Sequence, residues 1–145
     1  MDHFHYWCYK EITSYANAYN AYADFDSILE KLRIKLLLDK YDDIGLYRAD
    51  INTNRFLFNN VNGSFKNNDT FLFDFNKTTE LSKCKITDLE YNKAVSLAIL
   101  CIANNVPEFC FWSDLSVDEW KPVFDLYETH VKPITIHEHQ MMFKN

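Results

Sequence analysis

The ten residues 94–103, AVSLAILCIA, are apolar on nearly every side of a helix, with Ser96 the one interruption. A helix that spans a bilayer needs about 20 such residues. This segment must therefore be buried inside protein, with other elements packed around its circumference. Thr87 and Glu90, three apart, form a capping-box pattern ahead of it. Asn104 and Asn105 offer a left-handed stop behind it. The chain is expected to wrap one central helix, from Thr87 to about Ala103. Its 145 residues suffice for a single domain over 1–145. A hydrophobic fraction of 48% and an aromatic fraction of 17% exclude disorder.

Periodicity supplies the shell around that helix. Tyr15, Tyr19 and Tyr22 recur at helical spacing within 11–23 and predict a packing stripe. Ser27 and Glu30 read as a second capping box, opening a helix over 28–41. Residues 45–51, 55–61 and 69–76 are dense in aromatic and aliphatic residues and bounded by Asn-rich turns, so they read as antiparallel strands. PEFCFW (107–112) is a short strand. Ser116 and Glu119 open another helix, which Pro122 is expected to kink or restart. ITIHEHQ (134–140) is the last predicted strand. The fold class is α+β: a single domain with an antiparallel or mixed sheet of about five strands, packed with about four helices.

Several chemistries are excluded or weakened at this stage. Gly45 and Gly63 are the only glycines, so no dinucleotide loop, phosphate loop or nucleophile elbow can be built. Cys8, Cys84, Cys101 and Cys110 show no metal-binding spacing and are read as reduced thiols. Cys101 and Cys110 are expected in the core, and Cys84, between two lysines, in an exposed loop. Cys8 lies near His5 in sequence, which does not by itself make a dyad. Four of the five histidines fall in two pairs, His3/His5 and His137/His139. On extended backbone each pair shares a face, and four imidazoles from adjacent strands would suit zinc. Polar strand faces are the simpler account, so no metal or cofactor is expected.

Charge points towards binding. The formal charge is −6, and residues 105–130 hold six carboxylates against one lysine, a net −5 of that total. Such a field attracts cationic partners and repels phosphates. Glu108, Asp114, Asp118 and Glu119 surround Trp112 and Trp120, joining aromatic anchors to steering charge. These six residues form the expected partner-binding surface. The expectation is a cytoplasmic, non-enzymatic, acidic inhibitor that occludes the basic active site of a partner protein, in the manner of an immunity protein against a nuclease-type toxin. No direct nucleic-acid or membrane partner is expected. A phage-encoded inhibitor of a host defence enzyme, or a small metalloenzyme on the histidine pairs, would be the alternatives.

Overall fold

The computed structural model describes residues 2–12, 14–37, 50–60, 69–77 and 79–145. In chain order the elements are β1 (His3–Tyr9), α1 (Tyr15–Leu32), β2 (Leu36–Leu37), β3 (Asp50–Ile51), β4 (Arg55–Asn60), β5 (Phe71–Asp74), β6 (Thr79–Ile86), α2 (Leu89–Asn105), β7 (Phe109–Ser116), α3 (Val117–His130), a 3-10 turn at Glu138–Gln140 and β8 (Met141–Lys144). Among the described residues this is an α+β arrangement of three helices and two sheets, where about four helices were expected. No helix among the described residues is long and apolar enough to cross a membrane.

The central-helix expectation holds, since every residue from Ala94 to Ala103 on α2 is buried. Its ends differ from the expected ones by a residue or two. Asp88, not Thr87, is the cap, accepting a hydrogen bond from the Tyr91 amide. The helix runs through Asn104 and Asn105 and stops at Val106 in an extended conformation. Both asparagines are spent on tertiary hydrogen bonds instead, Asn104 to Thr135 and Pro133 and Asn105 to Asp24. The positive φ expected there occurs at Arg33 (56°), which closes α1.

The larger sheet has the order β6-β1-β7-β8, antiparallel except for the parallel β7–β8 pair. Its inner face carries His5, Trp7, Tyr9, Cys84, Ile86, Phe109 and Phe111, all buried, with Trp7, Tyr9 and Phe109 against Phe71 and Phe73 of β5. In the smaller sheet β2, β3 and β5 all pair with β4. It packs phenylalanine on phenylalanine: Phe58 on Phe71 at 4.9 Å and Phe56 on Phe25 of α1 at 5.2 Å. One hydrophobic cluster takes in both sheets and α2.

Several expected elements are corrected. The helices predicted over 11–23 and 28–41 are one helix as far as Leu32, because Ala18, Ala21, Phe25 and Ile28 carry a single buried stripe past Ser27. Ser27 is therefore interior, and Ser14 is the cap. The tyrosine stripe is not the packing face, since Tyr15 and Tyr19 are exposed. Residues 134–137 form no strand, and the last strand starts only at Met141. β6 and β8 were not anticipated, and β1 only as the polar strand face read for His3 and His5. Of the strand expected at 45–51 only Asp50–Ile51 is described, and residues 38–41 of the second expected helix also lie outside the described residues. Pro122 neither stops nor restarts α3, which continues through it to His130.

Candidate functional site

Alternation along β1 sends His3, His5, Trp7 and Tyr9 inward, so Phe4, Tyr6 and Cys8 project to the opposite face of the larger sheet. The register builds rows on that face. Tyr6 lies opposite Lys83 on β6 and Trp112 on β7, and Trp112 lies beside Met142 on β8. In the next row Cys8 lies opposite Cys110. The Tyr6 and Trp112 rings are 4.5 Å apart, Phe4 stacks on Tyr6 at 6.1 Å, and the Lys83 ammonium sits 5.9 Å from the Phe4 ring centre.

Among the described residues no element covers this face. Leu81 is 66% exposed, Met142 63% and Trp112 40%, whereas the residues of the inner face are sealed. Together with Tyr6, Cys8 and Cys110 they line a cleft of about 260 Å³ whose rim includes Glu138 and His139. Contiguous exposed apolar surface of this kind marks an interaction site more often than an isolated exposed leucine does.

The residues expected to bind a partner are separated by the fold. Trp112 stands on the open face. Asp114, two positions along, accepts a hydrogen bond from the Phe4 amide at 3.0 Å and lies 3.7 Å from His3. Asp118 and Glu119 follow at the exposed start of α3, where they favour the helix dipole. Asp118 pairs with Lys121 at 3.1 Å, and Glu119 completes the expected capping box with Ser116. Glu108 lies just before the other end of β7, with that eight-residue strand, a span of about 25 Å, between it and α3. Trp120 is a core residue at 1% exposure, with its indole N–H donating to Ser113 Oγ at 2.9 Å. The expected acidic corner is thereby reduced to Trp112, Asp114, Asp118 and Glu119.

The histidine pairs also separate. His137 and His139 do stack, with ring centres 5.5 Å apart, but on a 3-10 turn instead of a strand. His3 and His5 share a face of β1, but His5 is fully buried. Among the described residues no group of three or more His, Cys, Asp or Glu side chains is placed to hold a metal ion. The thiols are partly redistributed: Cys84 is buried inside β6, Cys110 is half-exposed, and Cys8 faces away from His5.

His5 sits in a closed polar network. Its Nε2 is 2.7 Å from Asn92 Oδ1, an acceptor, so Nε2 carries the proton. Nδ1 is then an acceptor, and it receives the Ser113 hydroxyl at 3.0 Å. Ser113 Oγ in turn accepts from Trp120 Nε1 and from the Leu115 amide at 3.1 Å. Every donor and acceptor in this chain of contacts is matched by a neutral imidazole. Burial, the largest cause, pushes the His5 pKa below its usual 6.5. A serine–histidine–asparagine series would suggest nucleophilic catalysis, but Ser113 is buried and its lone pairs are occupied. In this geometry the network is core.

No known protein family, characterised protein or solved structure matches this chain. The open sheet face is therefore interpreted from its own chemistry. The sequence reading named Trp112 but missed Tyr6, Leu81 and Met142. A period-2 signal was present in SKCKI, where Lys83 and Lys85 alternate with Cys84 and Ile86.

Proposed function

We propose that this chain is a cytoplasmic protein-binding inhibitor of the immunity type, which occludes a cationic partner such as a nuclease-type toxin domain. The observation supporting this reading is the Tyr6–Trp112 pair in an open cleft on a sheet face that no described element covers. Aromatic anchors in a desolvating pocket dominate protein interfaces, and this fold seals its other two tryptophans, Trp7 and Trp120, inside. Asp118 and Glu119 flank one end of the face and supply steering charge towards lysine or arginine. Occlusion requires only that the cleft and its neighbouring carboxylates dock over the partner's basic site.

The test is capture of a partner from the native host at low and high salt, with wild type, Trp112→Ala and Asp118→Lys/Glu119→Lys run in parallel. Trp112→Ala should weaken a captured protein's affinity at least about 30-fold, the effect of losing about 2 kcal/mol at a hot spot. The charge-reversed variant should associate more slowly and lose its salt dependence. Equal capture by all three proteins would move the interface elsewhere. Lys83 and Lys85 lie opposite Tyr6 and Phe4, an arrangement that a single-stranded nucleic acid could also use. Tight binding of a labelled oligonucleotide, abolished by Tyr6→Ala, would replace the protein-partner reading.

A further inference from the structure

Cys8 and Cys110 are directly opposed in the antiparallel β1–β7 ladder. Directly opposed residues project to one face, with Cα atoms about 4.5–5.5 Å apart. A disulfide spans Cα separations of about 4.4–6.8 Å. Both thiols are free and half-exposed, and both line the cleft beside Trp112. The other two cysteines, Cys84 and Cys101, are fully buried. With no third ligand in place among the described residues, two thiols define the chemistry available.

We infer that Cys8 and Cys110 form a dithiol site on the open sheet face, which closes reversibly into a cross-strand disulfide by exchange with a small-molecule disulfide of the glutathione class. In the first step the thiolate of one cysteine attacks a sulfur of the small disulfide. The small S–S bond breaks, a mixed disulfide forms and one small thiolate leaves. In the second step the other cysteine, as thiolate, attacks the protein-side sulfur of the mixed disulfide. The intramolecular S–S bond forms, and a second small thiolate leaves. The protein loses two electrons and two protons, and one small disulfide is reduced to two thiols. Burial raises the Cys110 pKa above its ordinary value, so closure is faster at alkaline pH. The site does not depend on the proposed partner, and its chemistry can be assayed without one.

The experiment equilibrates the full-length reduced protein, in its native state, across a series of oxidised-to-reduced glutathione ratios. Intact mass should fall by two hydrogens, and a non-reducing digest should join the Cys8 peptide to the Cys110 peptide. Cys84 and Cys101 should become alkylatable only after unfolding. In Cys8→Ser, a glutathionyl group on Cys110 should persist at least about tenfold longer than in wild type, where the neighbouring thiol resolves it. Circular dichroism verifies that the variant is folded. Separate stable adducts on both cysteines of the wild type, a bridge to a buried cysteine, or no reaction at any ratio would each overturn the assignment.

Discussion

At the scale of single residues, two buried polar side chains specify the arrangement around β7. His5 is neutral in the fold because burial disfavours its charged form. Its folded pKa lies below the unfolded value of 6.5, so the unfolded chain takes up the proton first. The stability that His5 contributes is therefore present above about pH 6.5 and is lost as pH falls from there through the folded pKa. Thermal melting of wild type and His5→Gln between pH 5 and pH 8, roughly the window in which histidine titrates, should show a fall on the acidic side that is smaller in the variant. Gln140 is the second such residue. Its amide nitrogen reaches the carbonyls of Ala103, Val106 and Phe109, and its oxygen accepts from the His137 amide. It thus ties the end of α2 to the start of β7 and to the 3-10 turn. Gln140→Ala should cost about 1–3 kcal/mol in denaturant unfolding, the range for buried groups left unsatisfied. Gln140→Glu should cost more, because a carboxylate would face three carbonyl oxygens.

At the scale of elements, legibility followed locality. The Ser116–Glu119 capping box and the apolar girdle of α2 depend on residues a few positions apart, so both could be read directly. Ser116→Ala should destabilise the protein by about 1 kcal/mol, measurable as a shifted denaturant midpoint with an unchanged slope. The Ser27–Glu30 pattern has the same local form but fails, because the buried stripe through Phe25 and Ile28 overrides it. Beyond the strand face read for His3 and His5, the extent of β1 was illegible for a different reason. Its two faces are both aromatic, Trp7 and Tyr9 inward and Phe4 and Tyr6 outward, so the period-2 contrast that marks a half-buried strand is absent. The strand expected at 134–140 fails because Gln140 is needed by carbonyls in the core, which turns the backbone there into a 3-10 turn. The candidate site was legible only at Trp112, since its other members are brought together by sheet register.

At the scale of the whole molecule, an apolar cluster takes in both sheets and α2, and a polar knot holds the helices together. Asp24 of α1 accepts from Asn105 of α2 at 2.8 Å, from Tyr127 of α3 at 3.2 Å and from Lys132 at 3.1 Å. Asp24→Ala should lower stability by about 1–3 kcal/mol, with much of the loss from hydrogen bonds left unmade, since Lys132 is partly solvated. Chemical denaturation of this variant, alone and combined with Lys132→Ala, would separate those contributions. Of the net charge of −6, α3 carries −3, from exposed Asp118, Glu119, Asp125 and Glu128 against Lys121, while the open sheet face mixes lysines with aromatic rings. The central strand of the larger sheet, β1, pairs with residues at least 70 positions further along on one side and about 100 further along on the other. A ribosome adds roughly 5–20 residues per second, so the nascent HFHYWCY segment waits about 5 to 20 s before its second neighbour exists. Until β6 emerges both edges of this aromatic strand are unpaired, and until β7 emerges one still is, open to chaperones and to other nascent chains.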